Sequence, residues 1–246
     1  MWIFISWFNF AIRYRKTILG PAWLLVGPIL FIAIIGRLFA QVGGIPEEIF
    51  IPHLTIGLVG WALAEGFVMK STTVFSRAKA QILQGGMSLT DIVMVDVLST
   101  IIYFAHQIVL ILAVFLIFRL SVTPYALVSL VGLAFAVANG IWLTIFFGIL
   151  GARYRDITEV IQAIMRIAFL ATPIIWIPGD TGHGGLMGVF LVFNPFYHFL
   201  EIIRAPLMGE PIALLSWVVV ISITVIGSLF AALFSHRFSK VVPLWV

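Results

Sequence analysis

The sequence predicts an all-α membrane protein with six transmembrane helices, an N-terminal interfacial helix and short re-entrant outer helices between spans five and six. Of the 246 residues, 62% are hydrophobic and 10% are charged, whereas ordinary soluble domains have about 25% charged residues. The mean hydropathy is +1.18. So few charges cannot cover a soluble globule, and so apolar a chain does not stay disordered. We therefore expect a single transmembrane domain over 1–246, with no sizeable soluble domain.

Charge-free stretches locate the spans, because a spanning helix needs about 20 mostly apolar residues. Stretch 181–200 contains Gly182, Gly184, Gly185 and Pro195, which weaken a helix, so we interpret it as short helices that dip into the outer leaflet. The alternative is a seventh span, which would move the cationic C-terminus to the outer side. The six expected spans are 20–42, 52–69, 96–118, 125–150, 160–178 and 212–235.

The distribution of Lys and Arg predicts the orientation, because cytoplasmic loops carry an excess of both. Six spans place both termini on one side, where ten cationic residues fall, against two on the opposite side. We therefore expect both termini in the cytoplasm. The ten are Arg13, Arg15, Lys16, Lys70, Arg77, Lys79, Arg153, Arg155, Arg237 and Lys240, and the two are Arg119 and Arg204.

Residues 1–19 have the composition of an interfacial helix. Aromatic residues such as Trp2 and Trp7 precede a basic cluster, a combination that suits the headgroup boundary. The alternative for the early part is an extension of span one. Basic residues at the cytoplasmic leaflet attract anionic headgroups, so the cluster is a candidate entrance for a lipid phosphate; the alternative is a role in topology alone. The cluster consists of Arg13, Tyr14, Arg15 and Lys16.

Two polar segments are predicted to be cytoplasmic, a long one at 70–95 and a short loop at 151–159. Gly85 divides the first into a helix before it and a turn after it. Asp91 and Asp96 lie near a span entrance and are candidates for a paired-carboxylate site. We favour the alternative, in which both are solvated residues at a helix start.

Several kinds of chemistry have no motif in this sequence. It has no cysteine, which excludes disulfides and thiolate sites. No Gly directly precedes a Lys, which excludes the ATP-binding loop GxxxxGK[ST] from this chain. Neither HExxH nor GxSxG occurs. We therefore expect no metal site and no catalytic residues, and ATP must be bound by another subunit if transport here uses it.

Some aromatic and cationic residues are candidates for lining a conduit. Sugar rings have apolar C–H faces that pack on aromatic rings, although interfacial belts and packing explain most membrane aromatics. Charged groups inside a membrane usually mark a path or a partner, but near a helix end they can also snorkel. Arg37 lies near the outer end of span one, so its side chain can reach the membrane surface by snorkelling. The channel-lining candidates are Trp23, Phe31, Trp61, Arg166 and Trp176.

The segment before the last span predicts a short amphipathic helix over 195–205 at the outer surface. Asn194 suits the N-cap and Pro195 the first helical position. Glu201 and Arg204 are three residues apart and can pair on one face. Pro206 is expected to end the helix near the residue before it.

Five segments resemble, in order across nearly the whole chain, the motifs of permease subunits from polysaccharide-exporting ABC transporters. The permeases of O-antigen exporters are the nearest match, and those for capsule and teichoic acid are looser relatives. Each motif is short, but together they are specific. The segments are RYRKTILGPAW at 13–23, GARYRDI at 151–157, TPIIW at 172–176, NPFYHFLEIIRAPLMG at 194–209 and VPLWV at 242–246.

This resemblance implies a homodimeric permease in a bacterial inner membrane, bound to two copies of a separate ATPase subunit that carries ATP and Mg. No cofactor is implied in this chain. The implied cargo is a lipid-pyrophosphate-linked glycan, whose headgroup meets the basic entrance. The resemblance assigns ATPase coupling to a helix at 71–84 and to the loop at 151–159, and an outer gate to 179–211. The implied coupling residues are Ser76, Arg77, Lys79, Gln81, Arg153, Arg155 and Asp156, and the implied gate residues are Asn194, Pro195, Tyr197, Glu201 and Arg204.

Two other functions stay open at this point. One is an ABC permease for capsule, teichoic acid, a drug or another lipid. The other is a membrane-embedded glycosyl- or acyltransferase, for which Asp91 and Asp96 are the main available carboxylates.

Overall fold

The computed structural model describes residues 1–178 and 186–246, and every regular element within these ranges is a helix. Two short 3₁₀ turns precede longer helices. The α-helices are α1 (Trp2–Tyr14), α2 (Trp23–Gly43), α3 (Glu47–Ser71), α4 (Val74–Arg77), α5 (Lys79–Leu83), α6 (Leu89–Ile117), α7 (Val128–Arg153), α8 (Ile157–Ala171), α9 (Leu186–Phe193), α10 (Pro195–Met208), α11 (Leu214–Phe238) and α12 (Val242–Trp245).

Five helices are long and apolar enough to cross a membrane. They correspond to predicted spans one to four and six. The first and fourth gain a 3₁₀ turn at the start, where Pro21 and Pro124 fit the early positions of a helix. The five candidate spans are Gly20–Gly43, Glu47–Ser71, Leu89–Ile117, Pro124–Arg153 and Leu214–Phe238.

The helix at the fifth predicted span is shorter than the sequence suggested. α8 has 15 residues, which is about 22 Å at 1.5 Å per residue, against a hydrocarbon core of about 30 Å. The expectation that this helix continues to residue 178 is wrong. It ends because Pro173 disfavours a helical Thr172, which is extended with φ −93° and ψ 136°.

The outer segment contains two short helices, α9 and α10, between α8 and α11. Their junction at Asn194 interrupts the stretch that a seventh span would need. Of the predicted outer gate segment 179–211, residues 179–185 lie outside the described residues.

α3 is the centre of the bundle. About two thirds of its most apolar window (67%) is buried inside the chain, against 11% for α2 and α11. α2, α6, α7, α8 and α10 all contact it. One apolar cluster includes Phe67 of α3 and extends to the end of the bundle that holds residues 70–88. A second apolar cluster surrounds Leu54 and Trp61 of α3. Because α3 contacts both ends, it connects the two candidate regions described below.

α1 is a separate helix. It ends at Tyr14 and lies against α6, whereas α2 begins at Trp23. The N-terminal segment therefore does not continue the first span, and the alternative that extended span one through it is wrong.

Candidate functional site

Polar and aromatic contacts attach α1 to α6. Ser6 Oγ donates to the carbonyl of Val95 at 2.9 Å. Phe10 is buried and meets the Tyr103 ring edge-on, with ring centroids 5.2 Å apart. These contacts hold α1 against α6, with Arg13 of α1 near the Tyr103 ring.

A cavity of about 270 Å³ lies between α1, α4 and α6, at the end predicted to be cytoplasmic. Four charged residues line it: Arg13 from α1, Lys70 from α3, Arg77 from α4 and Asp96 from α6. Arg77 Nη2 lies 2.8 Å from Asp96 Oδ1. The structure therefore brings Arg13, a predicted entrance residue, and Arg77, a predicted coupling residue, to one cavity.

Lys70 was not singled out as a site residue from the sequence. Its Nζ donates to Thr100 Oγ1 at 3.3 Å and lies 4.1 Å from the Tyr103 ring centroid. The Arg13 guanidinium carbon lies 5.6 Å from the same ring centroid. The sequence offered Lys70 only as one of many cytoplasmic cations, because its neighbours Thr100 and Tyr103 are about thirty residues away.

The other entrance residues divide by exposure. Tyr14 is partly buried against Phe10, with centroids 5.1 Å apart. Burial, and next the neighbouring Tyr103, raises the pKa of the Tyr14 phenol, so it stays neutral near pH 7. Arg15 and Lys16 are exposed. Only Tyr14 is therefore anchored in packing, and the two cations are accessible.

Asp91 and Asp96 have different partners. Asp91 forms a capping box with Ser88 at the start of α6 and accepts from Trp2 Nε1 at 2.7 Å. Asp96 pairs with Arg77. Each carboxylate thus has a structural partner, which counts against a shared catalytic pair.

The predicted coupling helix 71–84 is two short helices, α4 and α5, that meet at Ala78. The break predicted at the glycines after them is confirmed, since Gly85 has a φ of 67°. Position 85 requires a backbone conformation that L-residues with a side chain rarely adopt.

The first of the two segments predicted to be cytoplasmic is held against the end of α7. Val74 and Phe75 are buried, and both lie at Gly148. Gly151 faces the carbonyl of Thr72 so closely that a Cβ at position 151 would overlap it. Because positions 148 and 151 of α7 are glycines, the segment can approach α7 this closely.

A second cavity, of about 360 Å³, lies beside this contact. Ser76 and Lys79 from the first segment line it, together with Arg155 from the second loop and Trp245 from α12. The two segments assigned to ATPase coupling therefore share one surface, which we call the coupling groove (Ser76, Lys79, Arg155, Trp245).

The remaining coupling candidates are placed differently. The Arg153 guanidinium lies between the rings of Tyr154 and Trp245, 5.6 and 5.5 Å from their centroids. Asp156 is exposed at the start of α8 and makes no side-chain cap. Gln81, like Arg77, lines the cavity beside α1 instead of the coupling groove.

At the opposite end, the Asn194 side chain connects the start of α10 to the end of α8. Its side-chain oxygen accepts from the backbone of Phe196 at 3.0 Å and Tyr197 at 3.4 Å. Its amide nitrogen donates to Thr172 Oγ1 at 2.9 Å. The predicted N-cap is confirmed, with Pro195 in the first turn, and the same side chain also fastens α10 to the end of α8.

Arg204 is 5% exposed and forms a polar cluster across three elements. Its Nη1 donates to the carbonyl of Pro173 at 2.7 Å and lies 3.1 Å from His53 Nε2, and its Nη2 donates to Glu201 Oε2 at 3.1 Å. The same His53 nitrogen lies 3.2 Å from the carbonyls of Pro173 and Trp176, and the tautomer of the ring decides which of these contacts are hydrogen bonds. The predicted pair with Glu201 is confirmed. α10 packs on α3, α7 and α11, so this polar cluster is buried in the bundle, and its position at the outer side of the membrane stays a prediction.

The sequence predicted that α10 ends at Pro206, and this prediction is wrong. The helix continues to Met208 and ends at Gly209, which has a φ of 76°. A proline at 206 has no N–H to bond the carbonyl of Ile202. Gly132 of α7 approaches that carbonyl, and a Cβ there would lie 2.8 Å from the oxygen. The two helices therefore meet where the helical hydrogen bond is missing.

His198 was a further residue that the sequence did not single out. It is buried and bridges Ser216 Oγ and the carbonyl of Val192, both at 2.9 Å. Tyr197, the neighbouring gate candidate, is partly buried. No local sequence pattern identifies such a bridge, because its partners lie on two other helices.

The channel-lining candidates fall into two groups. Trp61 is buried between Phe169 and Phe196, with centroids 5.5 and 5.1 Å away, so within one chain it is a packing residue. The others are at least partly accessible. Trp23 and Arg166 are exposed, Phe31 is partly buried, and Trp176 is partly buried with its Nε1 donating to the carbonyl of Leu170.

A family model described as ABC-2 type transporter matches residues 2–208, which include both candidate ends of the bundle. No curated protein sequence matches the chain.

Proposed function

The chain belongs to the ABC-2 type transporter family, and from this premise we propose that it is the permease subunit of an exporter for a lipid-linked, O-antigen-like polysaccharide. Membership makes the chain the transmembrane component of an ABC exporter, which works with an ABC ATPase partner. The ATPase activity lies on that separate partner. The substrate class, the homodimer and the roles of individual residues are the proposed parts.

The observation that carries the proposal is the coupling groove. Ser76 and Lys79 on one segment and Arg155 on another converge there, although the two segments are far apart in sequence. The surface is polar and cationic, and α7 holds its first segment rigidly through Gly151. A rigid surface transmits a push from a partner to α3 and α7, since interfaces on packed elements move as units.

A homodimer is supported by an uncovered apolar face next to α3. Ile34 and Leu38 of α2 are 63% and 50% exposed, and Ile164 and Ile167 of α8 are 50% and 70% exposed. Arg166 lies exposed on the same helix. A cation facing lipid is costly, so its position favours a face turned toward a polar path between two copies.

The glycan cargo is supported by the sequence motifs and by accessible aromatic residues. Trp23 is exposed at the start of α2 and lies close in sequence to the accessible cations Arg15 and Lys16. A phosphate-bearing headgroup suits the cations, and sugar rings suit the aromatic face.

We further propose that the protein spans the bacterial inner membrane six times, with both termini in the cytoplasm. In this arrangement α8, with the short α9 and α10, provides the fifth crossing. The excess of Lys and Arg at the end that holds residues 70–88 supports that orientation.

The test is co-purification from native membranes in mild detergent, followed by analysis of surface glycan in cells that lack the chain. We expect a stoichiometric ABC ATPase to co-purify, and long surface polysaccharide to disappear in the deletion strain. If the ATPase co-purifies with the chain but the deletion strain keeps its surface glycan, the polysaccharide assignment is rejected. A permease for a drug or another lipid is then favoured.

A further inference from the structure

The cavity between α1, α4 and α6 contains more positive than negative charge. Arg13, Lys70 and Arg77 line it together with one carboxylate, Asp96, and Asp96 is already paired with Arg77 at 2.8 Å. Among the described residues, Tyr103 is the one other titratable side chain on its wall. The four ionised groups therefore leave a net charge of about +2 at the wall.

Lys70 is a partly buried cation on this wall with no salt bridge of its own in the part of the chain that the structure describes. Among the described residues no carboxylate lies within 4.0 Å of its Nζ. An ammonium group has three donors, and here one reaches Thr100 Oγ1 while the group rests on the Tyr103 ring. A partly buried charge is stabilised by a counterion, and the carboxylate on this wall, Asp96, is already paired with Arg77.

We propose that this cavity is a phosphate-binding site for the headgroup of an anionic membrane lipid, held by Lys70 and Arg13. Guanidinium and ammonium groups together are the usual protein ligands of phosphate. A volume of about 270 Å³ is many times the 10–15 Å³ or so that one water requires, so a hydrated phosphate fits. The aromatic residues of α1 suit the headgroup level. The inference does not depend on which substrate is exported.

Arg77 links the cavity to the segment that lines the coupling groove. Arg77 belongs to α4, in the first cytoplasmic segment, and its Nη2 also donates to the carbonyl of Lys70 at 2.9 Å. A phosphate beside Lys70 competes with Asp96 for this guanidinium. Lipid binding is therefore linked to the segment next to the coupling groove.

The experiment is native mass spectrometry of the full chain in detergent with dioctanoyl phosphatidic acid, using dioctanoylglycerol as the phosphate-free control. We expect phosphatidic acid to bind to the wild type. Lys70→Met and Arg13→Gln are each expected to weaken it about tenfold, the lower end for a lost hydrogen bond to a charged group. Lys70→Arg should retain binding, and Lys240→Met, outside the cavity, should bind as the wild type does.

Two results would overturn the proposal. Equal affinity of the wild type and Lys70→Met, both with wild-type thermal melting, would mean that the cavity holds no phosphate. Competition by inorganic phosphate, with no preference for phosphatidic acid over dioctanoylglycerol, would reject the lipid as the source. Neither measurement involves the ATPase or export. The lipid-binding proposal can therefore fail while the proposed function holds, and the reverse.

Discussion

Arg204 shows how one residue can have a different role from the one its sequence position suggests. Its guanidinium is buried against His53, Glu201 and the carbonyl of Pro173. These partners come from α3, α10 and the segment after α8. The residue therefore connects the helices at the end of the bundle that is predicted to be the outer one.

We predict that Arg204→Ala destabilises the protein by about 3–5 kcal/mol, the usual cost of leaving a buried charge partner unpaired. The lone Glu201 carboxylate and the free Pro173 carbonyl are the physical cause. Thermal melting of the purified chain measures the effect. Arg204→Met combined with Glu201→Gln should recover part of the loss, and Arg237→Ala, at an exposed site, should melt like the wild type. A wild-type melting temperature for Arg204→Ala would contradict the structural role of the cluster.

Gly151 provides a second prediction at this scale. A Cβ there overlaps the carbonyl of Thr72, which belongs to the backbone and cannot rotate away. We expect Gly151→Ala to cost about 1–3 kcal/mol, as for other overpacked sites, and to loosen the first cytoplasmic segment. Thermal melting and limited proteolysis near α4 report both effects.

Gly27→Ala is the matched control, because a Cβ on this helical glycine of α2 meets nothing within 4 Å. Alanine is favoured over glycine in a helix by about 1 kcal/mol, so this variant should be neutral or slightly stabilised. Equal melting of the two variants would argue against the close contact.

At the scale of elements, the coupling groove changes which substitutions test ATPase docking. Arg77 and Lys79 are both implied coupling residues, but Arg77 also pairs with Asp96, so its substitution would disturb a second contact. Lys79 and Arg155 line the groove, and neither forms a salt bridge among the described residues. They are therefore cleaner probes of the surface.

We predict that Lys79→Glu with Arg155→Glu lowers co-purification of the ATPase at least tenfold while leaving the melting temperature unchanged. Like charges facing an interface cost several kcal/mol. Lys240→Glu, an exposed cation that does not line the groove, is the control for overall charge. Normal ATPase recovery with the double variant would move the docking site elsewhere.

The elements also show what the sequence predicted and what it left out. Spans one to four and six followed from long apolar runs, and the Asn194 cap and the Glu201–Arg204 pair followed from local spacing. The end of α8 at Thr172 was missed because a hydropathy pattern does not register a single proline. The partners of Lys70 and His53 were missed because they depend on helix packing between distant segments.

The central position of α3 could have been inferred from one overlooked signal. Its most apolar window has a hydropathy of 1.4, the lowest of the five candidate spans, yet it is the most buried. Polar residues such as His53 and Thr55 are tolerated in a membrane span where the surrounding protein supplies hydrogen-bond partners. A polar span among apolar ones therefore marks the helix that is surrounded by protein.

At the scale of the whole molecule, the uncovered face of α2 and α8 determines the last prediction. Ile34 and Ile167 are 63% and 70% exposed, and both helices lie against α3. In a two-fold dimer through this face, α2 of one copy lies near α8 of the other. The chain has no cysteine, so introduced thiols are the only ones present.

We predict that Ile34→Cys with Ile167→Cys gives a covalent dimer when native membranes are treated with a short bifunctional maleimide. The control is Ile226→Cys with Leu229→Cys on α11, which is 66% and 63% exposed at these positions and lies outside the proposed face. Denaturing gel electrophoresis separates monomer from dimer. Dimer from the first pair alone assigns the interface to α2 and α8, whereas equal dimer from both pairs indicates random collision and removes the structural support for this homodimer.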